Sequence, residues 1–295
     1  MATTPQPFLL GVHVSIAGGL ENALYTGKAL GCQCIQIFTH SNRQWKMPPL
    51  TQAQIDKFKG AQKQTAIHHV IVHASYLINL ASVKEQIWQH SRTTLIKELE
   101  HCSALGIKYL VLHPGSFVNG AEKECLTLLT KGLNEAIAAV PGDTTILLEN
   151  MAGQGNAIGY RFEQLAEIRS LITHHHRIGF CFDTCHAFSA GYQFNTPKTY
   201  EALWKEFDHI IGLNHLKAIH LNDSKTACGS HVDRHEHIGK GTLGLETFKL
   251  FINDAQFFDI PKILETPKDN ELEDDMRNLT TLKNLLTPAN KKIFI

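Results

Sequence analysis

The sequence predicts an α/β fold, a (β/α)8 TIM barrel, and three observations carry that expectation. Eight short apolar runs, at residues 8–15, 34–39, 69–74, 109–114, 145–150, 178–184, 218–223 and 262–267, alternate with helical patterns along the chain. The runs are almost continuously apolar rather than alternating, as suits a parallel sheet covered on both faces. An open doubly wound sheet would need a glycine-rich phosphate loop after its first strand, and His13-Val-Ser-Ile-Ala-Gly18-Gly19 does not match G-x-G-x-x-G. The 295 residues suit one barrel as a single catalytic domain, 1–295, with its binding loops at the C-terminal face of the strands.

Start and stop signals place helices between the runs. Gly31 and Gly106 follow helical stretches and suit left-handed C-caps. Thr51-x-x-Gln54 and Ser82-x-x-Glu85 both have the pattern of a capping box opening a helix. Thr196-Pro197 sets an N-cap before a proline at the first helical position. Tyr200, Leu203, Trp204, Phe207 and Ile211 recur at helical spacing, as do Leu272, Met276, Leu279, Leu282 and Leu286, and both stripes are expected to be core.

Composition narrows the function classes. Lys plus Arg and Asp plus Glu are both 28, so the formal net charge is zero and any anion-binding surface must be local. The apolar runs are too short to span a bilayer, so no membrane partner is expected. The first seven residues lack the pattern of a secretory signal. Seven cysteines without framework spacing read as reduced thiols, with Cys181 and Cys185 as core filler, in a cytoplasmic chain. No obligate protein partner is evident, and a monomer is the default. Eighteen histidines are the one outlier, and their positions carry the functional argument.

Strands commonly end in turn formers, yet here the third to eighth runs close on His73, His113, Glu149, Asp183, His220 and Glu265. In this fold, side chains at the C-terminal ends of strands converge on one mouth. His186 lies three residues beyond Asp183, and Asp233 and His235 lie two apart in the long loop after the seventh run. Residues two apart in extended chain point the same way, so Asp233 and His235 suit one ion. These five histidines and four carboxylates exceed the three or four ligands of one zinc ion and suit two or three, with a carboxylate bridging. Burying them together without cations would leave unpaired charge. The histidine-rich mix favours zinc over magnesium, with manganese or iron open at individual positions.

Other candidates are weaker. His174-His175-His176 reads as a solvated helix C-terminus, and His68 and His69 begin a strand at the opposite end of the barrel. His13 is a candidate to line the site behind the ligands. Gly239-Lys-Gly-Thr-Leu-Gly244 reads either as a phosphate cradle or as a plain glycine turn before a helix. Clustered divalent ions suit phosphodiester hydrolysis, and a sugar isomerase or epimerase is the alternative reading, since two metals also polarise a sugar carbonyl and hydroxyl.

Several ordered segments have a family likeness. They include Gly11-Val-His-Val-Ser-Ile-Ala-Gly-Gly19, Asn42-Arg-Gln-Trp45, His73-Ala-Ser-Tyr-Leu-Ile-Asn-Leu80 and Leu112-His-Pro-Gly-Ser116. Phe182-Asp-Thr-Cys-His-Ala187, Val232-Asp-Arg-His-Glu-His-Ile-Gly239 and Leu264-Glu-Thr-Pro267 continue the set. Over essentially its whole length the chain resembles endonuclease IV, the zinc-dependent apurinic/apyrimidinic endonucleases of base-excision repair, on a xylose-isomerase-like barrel.

The resemblance implies three zinc ions per chain. His73, His113 and Glu149 would hold one; Glu149 would bridge to a second held by Asp183, His220 and Glu265; His186, Asp233 and His235 would hold the third. It implies a metal-activated hydroxide cutting the phosphodiester 5′ to an abasic site in duplex DNA, leaving a 3′-hydroxyl and a 5′ deoxyribose phosphate. Blocked 3′ ends would be trimmed by the same chemistry. Glu149 and Glu265 are the catalytic candidates, orienting the nucleophile. Arg43, Tyr76 and Leu77 match residues that enter the base stack, where a planar cation and an apolar wedge replace lost stacking. Trp45, Lys46, Lys225, Arg234 and Lys240 would line the phosphate path. His40 stands where the family carries a basic lead residue, which puts a phosphate contact there in doubt. A non-catalytic binder of damaged DNA is a third reading, opposed by the intact ligand set.

Overall fold

The computed structural model describes residues 8–118, 120–268 and 271–292. The seven N-terminal residues read above for a secretory signal lie outside this set. The strands are β1 (Leu10–His13), β2 (Cys34–Ile37), β3 (His69–His73), β4 (Tyr109–Leu112), β5 (Thr145–Glu149), β6 (Ile178–Asp183), β7 (Leu216–His220), the short β8 (Asp223–Ser224) and β9 (His235–Glu236), and β10 (Lys262–Leu264). Eight of them close into one parallel barrel in the order β1-β10-β7-β6-β5-β4-β3-β2. β8 and β9 form a separate antiparallel pair above β7, a hairpin inside what reads from sequence as loop.

The helices are α1 (Leu20–Ala29), α2 (Gln52–Thr65), α3 (Glu85–Leu105), α4 (Glu122–Ala139), α5 (Phe162–Ser170), α6 (Thr184–Ala190), α7 (Pro197–Ile210), α8 (Leu245–Asn253), α9 (Glu271–Asn284) and α10 (Pro288–Lys291). Thr51 opens α2 with a full capping box closed by Gln54, and Thr196 caps α7 ahead of Pro197. Gly106 closes α3 at φ 73°. None of the described helices is long and apolar enough to cross a membrane.

Strand alternation explains where the chemistry ends up. Leu9, Cys34, Ile71, Val111, Leu147, Cys181, Ala218 and Ile263 pack together inside the barrel, one from each strand or its leading edge. Their outward neighbours, such as Ile35, Val72, Leu110, Leu148, Phe182 and Leu264, pack against the helices in a second, larger core. Burying an aliphatic side chain of this size contributes about 2 kcal/mol, so reversing a strand's faces would be costly. One pleat further on, the inward positions are Gly11, Gln36, His73, His113, Glu149, Asp183, His220 and Glu265. The apolar layer is thus the floor of a polar one. At Gly11 a Cβ would lie 1.7 Å from the Cys34 carbonyl oxygen, so the close β1–β2 approach requires glycine there.

Three local expectations are corrected. Ser82 does not cap α3; its hydroxyl accepts from the Lys84 amide, and Lys84 takes the cap position without a side-chain bond. Leu279, Leu282 and Leu286 are buried, but Leu272 and Met276 are 44% and 48% exposed, while Asp274 and Asp275 of the same turns are buried. His175 and His176 belong to a short 3-10 turn after α5 rather than to a helix end; they are exposed.

Candidate metal centre

Each site residue is set by the end of an element. His73, Glu149, Asp183 and His220 are the last residues of β3, β5, β6 and β7, while His113 and Glu265 follow β4 and β10 by one. Asp183 also caps α6: its Oδ1 accepts the His186 amide at 2.7 Å, which locks His186 into the first helical turn beside it. The β8–β9 pair returns the chain over the barrel mouth and delivers Asp233 and His235.

The nine residues come together. Glu149 lies at the centre: Oε2 is 3.3 Å from His73 Nε2 and 3.2 Å from His113 Nε2, while Oε1 is 2.9 Å from His220 Nδ1. Glu265 Oε2 approaches His220 Nδ1 at 3.1 Å, and Asp183 Oδ2 approaches it at 3.8 Å. On the far side, Asp233 faces His186 Nε2 at 3.2 Å and His235 Nε2 at 3.5 Å. Ligand atoms lie within 4.8 Å of one another in the groups His73–His113–Glu149, Glu149–Asp183–His220–Glu265 and Asp183–His186–His235. A fourth such group, Cys185–Asp233–His235, includes a thiol read from sequence as core filler. Burial pushes that thiol up to about 12, so it is protonated in the absence of a cation.

Backbone carbonyls orient the histidines. A carbonyl only accepts, so Nδ1–H of His73 donates to Ala74 O at 2.7 Å, that of His186 to Asn150 O at 2.9 Å and that of His235 to Glu265 O at 3.0 Å. Their Nε2 lone pairs are left pointing into the centre. His220 is turned the other way, with Nε2 held by Gln36 Oε1 at 2.8 Å and Nδ1 inward.

Gln36 and two asparagines form a support shell that a search for ionisable residues misses. Gln36 Nε2 donates to Glu265 Oε1 at 2.7 Å and approaches His13 Nδ1 at 3.0 Å, which puts His13 behind the ligands. Asn222 Nδ2 donates to Asp183 Oδ2, and Asn222 Oδ1 accepts the Glu265 amide, both at 2.7 Å. Asn150 Oδ1 accepts the Asp183 amide at 2.7 Å. The signal for Gln36 was its register, two residues beyond the interior Cys34.

The chemistry of this donor set fits divalent cations. Burial works against ionisation of Glu149 and Glu265, yet the surrounding histidines, His220 foremost, hold both carboxyls well below the usual range. Burial likewise disfavours the charged form of His186, but Asp183 and Asp233 raise its pKa well above the ordinary value. Carboxylates this buried therefore draw protons onto their neighbours unless another cation neutralises them. The buried Nε2 atoms of His186 and His235 have no hydrogen-bond partner although they face Asp233, as lone pairs aimed at a shared ion would.

The residues expected to meet DNA ring the mouth. Tyr76 is 57% exposed and stands on His73, Phe38 and His113, with ring centroids 5.3, 5.5 and 5.7 Å away. Arg43, Lys46, Lys225, Arg234 and Lys240 are exposed, and Leu77 and Trp45 are half-buried. Trp45 packs on His90 of α3, and Lys225 lies 3.8 Å from Glu236. His40 points inward, its side chain facing Glu98, which removes it from the phosphate path. The Gly239–Gly244 turn is no phosphate cradle. Its Gly239, Gly241 and Leu243 amides donate to the buried Asp223 carboxylate at 2.9, 3.1 and 3.0 Å, so an internal anion already fills the nest.

Comparison with known proteins agrees with this architecture. A family model described as a xylose isomerase-like TIM barrel matches residues 24–284. "Probable endonuclease 4" of Chloroflexus aggregans is 44% identical over 277 residues, spanning 94% of this chain and 97% of that protein. Its namesake from Geobacter sulfurreducens is 44% identical over 278 residues, 94% of each chain. Among solved structures, endonuclease IV from Thermus thermophilus matches with a TM-score of 0.82 at 34% identity, over 94% of this chain and 98% of that one. A D-tagatose 3-epimerase-like protein reaches a TM-score of 0.72 at 20% identity over 96% and 99% of the two chains, a likeness of fold alone. By sequence and structure alike, the chain belongs to the endonuclease IV family, on the xylose isomerase-like TIM barrel.

Proposed function

We propose that this protein is a zinc-dependent endonuclease of base-excision repair, one catalytic unit that cuts duplex DNA 5′ to an abasic site and trims blocked 3′ ends. The observation that carries the reading is the convergence of nine histidine and carboxylate side chains on one barrel mouth, centred on Glu149. The relatives named endonuclease 4 support a nuclease. The exposed arginine, lysines and tyrosine around the mouth support a nucleic-acid substrate.

His73, His113 and Glu149 would hold one zinc ion, Glu149, Asp183, His220 and Glu265 a second, and His186, Asp233 and His235 a third. Such ions, when bound, supply Lewis acidity, lowering the pKa of coordinated water and neutralising charge on a phosphoryl group. The chain's own residues divide the remaining work by their burial. Glu149 is sealed from solvent among four histidines, a position for bridging. Glu265 is 12% exposed, with Oε1 tethered by Gln36, so it is the carboxylate placed to orient an incoming water. Tyr76 and Leu77 would fill the gap left by the missing base, and Arg43 would stack on the opened step. Because Tyr76 stands directly on His73 and His113, a duplex read by this ring is brought to the cluster.

The test is incision of a duplex carrying a single tetrahydrofuran residue, with the ends identified. A 3′-hydroxyl and a 5′ sugar phosphate support the proposal. Tight binding without incision in zinc-loaded protein would make it a damage binder, and sugar epimerisation without nicking would favour the alternative barrel chemistry.

A further inference from the structure

We infer that Glu98, on the face of α3 turned toward the barrel, is a positioning residue that holds the two DNA-probing loops in one arrangement through Ser75. This rests on the proposed function for its meaning, but its geometry stands independently. Glu98 is 1% exposed, and its Oε1 accepts the Ser75 amide at 3.0 Å. Ser75 in turn donates its hydroxyl to the Asn42 carbonyl at 3.0 Å and accepts the Leu77 amide at 3.3 Å. One serine thus joins the loop after β2, which carries Arg43, to the loop after β3, which carries Tyr76 and Leu77.

Helix α3 grips the first of these loops along its length. His40, whose side chain is 6% exposed, approaches Glu98 Oε1 at 3.6 Å. Trp45 lies on His90, ring centroids 5.3 Å apart. One turn beyond Glu98, His101 donates Nε2–H to the Pro48 carbonyl at 3.1 Å. Burial lowers the His101 pKa to about 4, so this ring is neutral at neutral pH and its Nδ1 is left without a partner.

The polar groups under the loop are poorly matched, with Glu98 Oε2 and both ring nitrogens of His40 lacking hydrogen bonds. The hydrogen bond the acid does make is to the Ser75 amide, and removing that acceptor would leave a buried donor unpaired in the loop after β3. Burial is the main cause that pushes the Glu98 carboxyl up to about 8. Glutamine reproduces the shape of this side chain and its acceptor toward the Ser75 amide.

The experiment compares Glu98→Gln, Glu98→Leu and Ser75→Ala in zinc-loaded protein. It measures kcat and KM on the tetrahydrofuran duplex, zinc content, and amide hydrogen exchange of residues 40–48 and 74–80 without DNA. Glu98→Leu is expected to raise KM by about tenfold or more, with a much smaller change in kcat, because misplaced contacts weaken engagement rather than chemistry. Exchange in both segments should rise and zinc content should hold. Glu98→Gln should stay close to wild type, and Ser75→Ala should raise KM a few-fold.

Unchanged KM and exchange in both Glu98→Leu and Ser75→Ala would overturn the inference. So would a loss of zinc with a fall in kcat, which would make Glu98 a support of the metal centre. If Glu98→Leu does not fold, Glu98→Ala takes its place with the same expected outcome, and Ser75→Ala, which keeps the amide that Glu98 holds, tests the hydroxyl link between the loops. A wild-type protein that never nicks the duplex would sink the functional reading, while the exchange data would still report on the loops.

Discussion

Nδ1 of His220 lies 2.9 Å from Oε1 of Glu149, with both side chains fully buried and Nε2 of the same ring held by Gln36. This pair ties β5 to β7 across the mouth, and it fixes which histidine nitrogen faces the centre. It also puts Glu149 between two groups of donors, with one oxygen for each.

Glu149→Gln is therefore expected to keep the barrel and lose incision. The amide keeps the volume but loses the charge and one acceptor, so two ions would no longer share it. A fall in kcat of about a thousandfold or more is expected, comparable to removing a principal charge-stabilising group. Activity assays with zinc analysis check this, and incision at the wild-type rate would contradict the bridging role.

Gln36→Leu should act through Glu265 and His220 without touching substrate. Outer partners of metal ligands typically change affinity by about 10- to 100-fold. Competition with a chelator should reveal weaker zinc retention in this variant, with the melting temperature in excess zinc little changed.

Arg43→Ala and Tyr76→Ala should weaken binding to abasic duplex and leave zinc content alone. Loss of an aromatic stacking platform costs about 1–3 kcal/mol per base. Electrophoretic or fluorescence titration of damaged against intact duplex checks the claim. An equal loss on both duplexes would remove the lesion-reading role.

Lys262 provides a test of the fold itself. Its Nζ is buried at the start of β10, donating to the Phe257 carbonyl and, at 3.0 Å, to that of Ile260. Burial lowers its pKa from 10.5 to about 7. The unfolded chain keeps the proton up to its higher pKa, whereas the folded chain releases it near 7, so between the two the unfolded state binds more protons. Stability attributable to Lys262 should thus rise with pH across that window, and below it the burial penalty is fully present. Lys262→Met should raise the melting temperature more at pH 6 than at pH 10; a uniform shift would contradict the assignment.

The convergence of the ionisable residues was legible in the sequence because strands alternate with a period of two. His73, His113, Glu149, Asp183, His220 and Glu265 each stand one pleat beyond an apolar residue of the barrel interior. The barrel itself followed from the eight apolar runs. What escaped was whatever depends on partners distant in sequence. Gln36, Asn150 and Asn222 are uncharged, and apart from the register of Gln36 they declare themselves only through the groups they hold. Cys185 is buried as expected of filler, and only the fold shows that the β8–β9 hairpin brings Asp233 and His235 close to it. The Gly239–Gly244 amides were open to a phosphate on paper and are taken by Asp223 in space. Leu272 and Met276 keep a helical period, but period alone does not show which positions of the first turns stay exposed.

The most direct test of the central claim is a metal count coupled to location: zinc-edge anomalous diffraction from crystals of the purified protein. Three peaks are predicted, beside His73–His113–Glu149, at Glu149–Asp183–His220–Glu265 and beside His186–Asp233–His235. Soaking in chelator should erase them and abolish incision of the tetrahydrofuran duplex, and zinc should restore both. An empty mouth in protein that still cuts the duplex at full rate would contradict the account.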